Sequence, residues 1–319
     1  MMLTDSQIKV FVSKVLKLPP GKRAEYLRQV DYLIERFEKK MKEDDSSFAV
    51  SKFRKTGSLR KGTVLKPRDG HGVDADIAVE LDFPEEKRYD LDLLHDEIVE
   101  LLVAVYPQKD PEDFKVQPRT LGIHFRESGL DVDLVPIIPV PDDLDYGWQP
   151  SSKGEALVKT SVPGQLAFIK SRNDADPRYR TLVRLLKRWR NHQELDHLRS
   201  FTIELLLAAL QDGEGPAGRL EDGLIRFFRF VAQTELKEPI SFPENGEVNG
   251  FPSDPVVILD PVNEKNNAAA RLTKEEREEI VEIATTAWET LSAAQYLAGK
   301  GETVEYWREV FGRSFVIEE

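Results

Sequence analysis

The chain has 319 residues, of which 40% are hydrophobic and 32% charged, and its net charge is −12 at pH 7. This composition is typical of a globular protein that is long enough to bury a substantial core. The acidic balance argues against direct binding of duplex DNA, which relies on clustered Lys and Arg. The chain contains no cysteine, which excludes disulfides and cysteine-based zinc sites.

The N-terminal sequence lacks the pattern of a signal peptide. No apolar run approaches the roughly 18–20 residues that are needed to span a bilayer. We therefore expect a cytoplasmic protein that does not bind membranes.

Apolar residues at three- and four-residue steps predict a long amphipathic helix over residues 21–44. Its apolar positions are Leu27, Val30, Ile34, Phe37 and Met41. A first strand is predicted at residues 48–55, and the small residues Gly57 and Ser58 form a turn after it. Backbone N–H groups in such a turn can bind phosphate oxygens.

Two carboxylates begin the next predicted strand, after a loop at residues 67–73. Asp74 and Asp76 stand at positions i and i+2, so they share one strand face, with Cα atoms roughly 6.5–7 Å apart. Alone they would repel each other, but bound Mg²⁺ reverses this effect because it is the largest local charge. Two such ions can stabilise the attacking and leaving oxygens of a displacement at phosphorus. By itself, an Asp-x-Asp pair is far more often a solvated turn.

A further carboxylate lies on a later apolar strand. We predict paired strands at residues 121–125 and 130–138, joined by a turn. Asp133 stands between apolar neighbours in the second strand, where an unpaired carboxylate would be costly. It is the candidate for an additional metal ligand, and Asp131, which shares its strand face, is the alternative.

The rest of the chain is predicted to be mostly helical, after a mobile loop at residues 141–154. The predicted helices beyond the first lie at residues 91–106, 163–172, 177–192, 200–211, 218–236, 274–297 and 303–311. The aromatic residues expected in the core of this part are Trp189, Phe227, Phe228, Phe230 and Trp288. An aromatic box around a nucleotide base is the alternative interpretation.

Eight basic residues cluster between positions 172 and 199. They are Arg172, Arg178, Arg180, Arg184, Lys187, Arg188, Arg190 and Arg199. A run of this kind is more often a solvated helix face than a ligand site, and we favour that interpretation for most of its members. Arg184 and Lys187 are three residues apart and therefore share a helix face.

Gly57-Ser58, Asp74-Ala75-Asp76 and the segment 132–136 together resemble the signature of the polymerase-β-like nucleotidyltransferases. Within that superfamily the chain is similar to the branch that includes 2′-5′-oligoadenylate synthase, cyclic GMP–AMP synthase and the bacterial, DncV-like CD-NTases. The clade it resembles most is the HORMA-associated, CdnC-like one. The helix with Lys187 resembles the family's helix that carries a triphosphate-binding lysine, and the helix that begins at Ser200 resembles the one after it. The segment 258–267, with its Asp-Pro and Asn-Asn pairs, resembles a late segment of the family.

The resemblance implies an α/β (α+β) fold. It implies a spine helix within residues 1–45, a mixed-sheet nucleotidyltransferase lobe at residues 46–155 and a helical C-terminal lobe at residues 156–319. The spine helix would bridge the two lobes, with the nucleotide bound between them.

The resemblance also implies the roles of single residues. Asp74 and Asp76 would bind two Mg²⁺ ions, for which Mn²⁺ could substitute, and Asp133 would complete one of the two sites. The residues implied to hold the donor phosphates are Gly57, Ser58, Lys187 and Ser200.

The implied reaction makes a cyclic di- or trinucleotide from ATP, with other nucleoside triphosphates as further candidates, and releases pyrophosphate. An adenine-containing product such as cyclic triadenylate, an anti-phage role, a HORMA-domain activator and a downstream effector that the product activates are expected. The alternatives are a linear oligoadenylate synthase, a transferase with another acceptor, a nucleotide-binding pseudoenzyme, and a chance metal-binding or structural protein.

Overall fold

The computed structural model describes residues 2–43, 49–67, 72–82, 91–117, 120–150, 157–245, 250–296 and 299–317. It divides into two compact units. Leu18–Leu166 form the first, which we call the sheet unit, and Met1–Lys17 with Ala167–Glu319 form the second, which we call the helical unit. None of the described helices has the length and hydrophobicity of a membrane span.

In the described part of the chain, seven strands form the sheet of the sheet unit. They are β1 (Ala49–Thr56), β2 (Val73–Asp82), β3 (Phe114–Val116), β4 (Leu121–Phe125), β5 (Leu130–Val140), β6 (Asp143–Pro150) and β7 (Leu157–Thr160). The order is β1-β2-β5-β4-β3, and β6 pairs with both β5 and β7. Strands β2 and β5 are parallel, and the other neighbours are antiparallel, so the sheet is mixed as predicted.

The described helices lie close to their predicted positions. They are α1 (Asp5–Phe11), α2 (Pro20–Glu43), α3 (Gly57–Lys61), α4 (Leu91–Val105), α5 (Val162–Ala175), α6 (Tyr179–His192), α7 (Ser200–Glu214), α8 (Leu220–Thr234), α9 (Lys274–Tyr296) and α10 (Lys300–Phe311). A π-helical segment at Val12–Leu16 extends α1, and a 3₁₀ turn at Pro111–Asp113 precedes β3. The predicted helix and strand ends at Asp44, Phe48 and Leu297 lie outside the described residues.

Helix α2 packs its apolar stripe into the core of the sheet unit. It starts at Pro20, a residue that favours the first turn of a helix. Val30 and Phe37 are buried, and the ring of Phe37 meets that of Phe53 on β1 edge to face, with 5.7 Å between centroids. The predicted amphipathic helix is therefore confirmed over its described residues.

The predicted mobile loop at residues 141–154 is wrong over most of its length. Residues 143–150 form β6, in which Gly147 pairs with Pro139 of β5 and with Thr160 of β7. The prolines suggested a break, but a proline is tolerated in a strand where its missing N–H is not needed for the ladder. The strand signal in the sequence is the occurrence of Leu144, Tyr146 and Trp148 at every second position. Residues 151–154 lie outside the described residues.

Three aromatic rings fill the core of the helical unit. Trp189, Phe227 and Phe228 are fully buried, and the centroids of Trp189 and Phe228 lie 4.9 Å apart in an edge contact. This confirms the core prediction for these three residues. Phe230 and Trp288, in contrast, are only half-buried.

The prediction that most of the eight basic residues form a solvated helix face is wrong, because only Arg199 among them is exposed. Arg172 is buried and forms ion pairs with Asp212, at 2.6 Å, and with Glu244. Arg178 pairs with Asp5 at 3.0 Å. Protein carboxylates and carbonyl oxygens replace the water that these cations would otherwise bind, and this allows their burial.

The Asp-Pro and Asn-Asn segment forms a polar connection inside the helical unit, where β8 (Leu259–Asp260) pairs with β9 (Asn263–Asn267). The Asn267 amide is buried. Its Oδ1 accepts the N–H groups of Ile258 and Ala269, and its Nδ2 donates to Asp254 at 2.8 Å. Asn267 therefore stabilises the conformation of the segment around β8 and β9 through these hydrogen bonds.

Candidate active site

Four carboxylates share one face of the central strand pair. The parallel register of β2 and β5 sets Asp74 opposite Asp131 and Asp76 opposite Asp133. Ala75, which lies between Asp74 and Asp76 in β2, is buried on the other face of the sheet. The structure thus brings together all three carboxylates predicted as ligands, and it places the alternative Asp131 beside them.

The Gly-Ser turn lies directly against this carboxylate face. Thr56 at the end of β1 pairs with Asp76, and α3 begins with the next residue, Gly57. Gly57 has a φ of +63°, and a Cβ atom at this position would overlap the carboxylate of Asp76. Only glycine satisfies both conditions. The N–H groups of Gly57 and Ser58 belong to the first turn of α3, where helix N–H groups have no partner within the helix.

Asp76 and Asp133 incline toward opposite sides of the strand pair. The Asp76 carboxylate lies against Gly57 beyond β1, whereas Asp133 inclines over Gly122 of β4, where a Cβ atom would lie 2.9 Å from its Oδ1. Within the described residues, no group of three or more His, Cys, Asp and Glu side chains is arranged to hold a metal ion. A shared ion therefore requires rotation of these side chains, which mutual repulsion of the carboxylates opposes.

The donor set nevertheless fits a hard divalent cation. Mg²⁺ is bound by oxygen ligands, usually one or two carboxylates together with phosphates and water. Asp74, Asp76 and Asp133 supply only carboxylate oxygens, on a strand face that is negatively charged. These three residues can therefore hold Mg²⁺ once the side chains turn toward one another.

Burial and neighbouring charges disfavour the ionised form of Asp133. Its pKa is raised to about 6, first by burial and then by the negative charges of Asp76, Asp74 and Asp131. The ammonium group of Lys115 opposes this shift. A positively charged ligand would reverse the effect, because it favours the carboxylate form.

Asp131 differs from Asp133 because side chains of the neighbouring strands contact its carboxylate. Oδ1 of Asp131 lies 2.9 Å from Nδ1 of His124 and 3.1 Å from Nζ of Lys115. Neither partner is predicted by a local sequence pattern. Their only signal is the register of the β3-β4-β5 meander, which pairs His124 with Asp131 and Lys115 with Gly122.

Lys187 and Ser200 both belong to the helical unit. Lys187 is buried on α6, with 6% of its surface exposed, and Ser200 is the first residue of α7. Arg190 on α6 donates hydrogen bonds to Ser200 Oγ and to the Leu198 carbonyl oxygen, both at 3.2 Å. The start of α7 is therefore tied to the helix that carries Lys187.

The raised pKa of Asp133 generates a prediction about stability. A carboxyl whose folded pKa lies above its unfolded value destabilises the fold when it is ionised in both states, and this loss shrinks as pH falls through the folded pKa. In the presence of EDTA, Asp133→Asn should therefore stabilise the protein by about 3 kcal/mol at pH 8 and by only about 1 kcal/mol at pH 4.5.

Urea unfolding of wild type and Asp133→Asn across this pH range measures the difference. Asp145→Asn, a change at an exposed position of β6, is the control and should give a small, pH-independent difference. An Asp133→Asn variant that is less stable than wild type at pH 8 would contradict the prediction.

No family model matches the chain, but two characterised proteins are similar over almost all of it. A CBASS oligonucleotide cyclase, CdnC, from Escherichia coli strain KTE188 is 41% identical over 319 residues, covering 100% of this chain and 99% of that protein. A cyclic AMP-AMP-AMP synthase from E. coli strain MS 115-1 is 35% identical over 317 residues, covering 96% of this chain and 95% of that protein.

Solved structures of CdnC from E. coli MS115-1 have the same fold. Its complex with HORMA-deltaN matches with a TM-score of 0.82 and 31% identity, over 99% of both chains. Its structure with ATP matches with a TM-score of 0.82 and 34% identity, over 98% of this chain and 99% of that one. The predicted α/β nucleotidyltransferase fold is therefore confirmed. The chain belongs to the CD-NTase family of nucleotidyltransferases, in its CdnC branch.

Proposed function

We propose that this chain is a Mg²⁺-dependent synthase that joins nucleoside triphosphates into a cyclic di- or trinucleotide and releases pyrophosphate. The product contains adenine, with cyclic triadenylate as the leading candidate. The enzyme works in the bacterial cytoplasm in defence against phage. This proposal is supported by the similarity to an oligonucleotide cyclase and to a cyclic AMP-AMP-AMP synthase over almost the full chain.

The observation that carries the proposal is the strand register at the carboxylate face. Asp76 lies opposite Asp133 on parallel strands, and the backbone of Gly57 lies against Asp76. Carboxylates for two cations and N–H groups for a phosphate chain therefore adjoin each other within the sheet unit. Nucleotidyl transfer needs both, since carboxylates would hold the metal ions and N–H groups would hold the phosphate chain.

Asp74 and Asp76 would hold both Mg²⁺ ions, and Asp133 would complete one of the two sites. Bound there, the two ions would lower the pKa of a ribose hydroxyl and stabilise the charge that develops on the phosphate oxygens. Mn²⁺ could substitute because it accepts the same oxygen ligands.

We propose four residues as the ligands of the donor triphosphate. Gly57 and Ser58 would donate backbone N–H groups to its oxygens, and Lys187 and Ser200 would add an ammonium and a hydroxyl. A charge-assisted hydrogen bond from a lysine to phosphate is among the stronger polar contacts of proteins. The burial of Lys187 would keep water from competing with that contact.

In the reaction, a ribose hydroxyl attacks the α-phosphorus, a new P–O bond forms, and the bond to pyrophosphate breaks. The hydroxyl proton leaves either to Asp133 or to solvent. Cyclisation repeats this step when the free hydroxyl of the linear intermediate returns to the α-phosphate at its own 5′ end.

A HORMA-domain protein would activate the synthase, and the cyclic product would activate a separate effector. The support is that a similar CdnC has been solved with HORMA-deltaN. A partner raises activity when it binds the active conformation more tightly than the inactive one. The net charge of −12 disfavours duplex DNA as the direct activator.

We expect Asp76→Asn to abolish product formation while the protein remains folded. The change removes one carboxylate charge from the proposed metal site but keeps the size of the side chain. Pyrophosphate release and nucleotide products, measured with Mg²⁺ and ATP, should fall below detection, and the melting temperature should stay near that of wild type. Asp145→Asn is the matched control and should keep full activity. Turnover retained by Asp76→Asn would contradict the assignment of the metal ligands.

Lys187→Met should weaken binding of a non-hydrolysable ATP analogue by roughly ten- to a hundredfold, because one charge-assisted contact contributes on the order of 1.5–3 kcal/mol. Methionine retains the aliphatic stem that packs in the helical unit. Isothermal titration measures the affinity, and Lys170→Met at an exposed position of α5 is the control. Unchanged affinity, together with a large loss of stability, would show that Lys187 is structural.

The product should be cyclic, and its synthesis should depend on a partner. With Mg²⁺ and all four nucleoside triphosphates, mass spectrometry should detect a product that resists phosphatase, since a ring has no terminal phosphate. Its yield should rise when a HORMA-domain protein is added. A phosphatase-sensitive ladder would instead support a linear oligoadenylate synthase. Absence of any product and of nucleotide binding would support a pseudoenzyme or a structural protein.

A further inference from the structure

Asp131 and Asp133 occupy equivalent positions on one strand face, yet their surroundings differ. Both are half-buried on β5, two residues apart. Spacing along a strand cannot decide which of them is a metal ligand, since residues i and i+2 point the same way. The atoms around each carboxylate make the distinction.

Three groups from different segments enclose the carboxylate of Asp131. Its Oδ1 contacts Nδ1 of His124 on β4 at 2.9 Å and Nζ of Lys115 on β3 at 3.1 Å. Its Oδ2 lies against the backbone of Gly72, where a Cβ atom would be only 2.6 Å away. Oδ1 of Asp131 is thus held by side chains of β3 and β4, and Oδ2 lies close to Gly72.

The Lys115 side chain can reach Asp131 because the neighbouring residue, Gly122, has no side chain. Lys115 pairs with Gly122, and Gly122 in turn pairs with Asp133. A Cβ atom on Gly122 would lie 3.3 Å from the Cβ of Lys115 and 2.9 Å from Oδ1 of Asp133. The glycine therefore leaves room for both side chains. Each of them extends over this point of the sheet.

We propose that Lys115 and His124 are positioning residues of the metal site, which bind Asp131 so that Asp133 is the third metal ligand. The inference rests on the proposed function, because it concerns the same divalent-cation site. Lys115 also offsets the charge of Asp131, to which its ammonium group lies at 3.1 Å. Without this arrangement, Asp74 and Asp131 could hold an ion at a second, unproductive position.

The experiment measures Mn²⁺ binding to the full chain by electron paramagnetic resonance, in the presence of a non-hydrolysable ATP analogue. Asp133→Asn should weaken Mn²⁺ binding by more than about tenfold, because it removes a ligand, and loss of an outer-shell partner alone typically costs at least about tenfold. Asp131→Asn should change it by less than about twofold. Equal losses in the two variants would overturn the inference, since Asp131 would then be a ligand.

The role of the positioning residues is tested by releasing Asp131. Lys115→Met should strengthen Mn²⁺ binding about two- to fivefold, the range expected from an exposed ion pair, and His124→Phe should change it in the same direction. In an Asp131→Asn background the gain from Lys115→Met should fall below about twofold. Lys115→Arg, which keeps the charge, should behave as wild type.

A merely structural role would lower the melting temperature of Lys115→Met and leave Mn²⁺ binding unchanged, and that result would overturn the inference. Failure of the proposed function looks different. In that case wild type itself would bind no Mn²⁺ with the nucleotide analogue and release no pyrophosphate from ATP.

Discussion

The parallel pairing of β2 with β5 is the constraint on which the candidate site depends. It sets Asp76 opposite Asp133, while the buried side chains of Ile77 and Leu134 fix the register from the core. Side chains alternate between the two faces of a strand, so a slip of one residue would turn the carboxylates inward and expose the apolar residues. The hydrophobic core thus determines which charged groups share a face, although it does not contact them.

This arrangement places like charges close together in the apo protein. Burial and neighbouring carboxylates raise the pKa of Asp133, because both disfavour its ionised form in the folded protein. Two glycines make the crowding possible: Gly57 leaves space for Asp76, and Gly122 leaves space for Asp133. The same geometry therefore concentrates carboxylate oxygens, the ligands that hard divalent cations prefer, on one face of the sheet.

In the helical unit, the charges of basic side chains are compensated by other protein groups. Arg172 and Arg178 are neutralised by carboxylates, and Arg190 binds carbonyl and hydroxyl oxygens near Ser200. Each of these contacts fixes the position of a helix end or of a helix pair around the aromatic core. Lys187 is buried on α6 within this framework, so its backbone position is set by packing.

Local patterns in the sequence determined the long helices, the central strands and the shared face of Asp74 and Asp76, because periodicity reports which side of an element is buried. The sequence missed β6, since proline outweighed alternation there. It named Asp133 as the further metal ligand and kept Asp131 as the alternative, since both share one strand face. Only the tertiary structure distinguished them, because His124 and Lys115 reach Asp131 through strand register. Contacts between strands distant in sequence have no local signal, so they arise only once the sheet has formed.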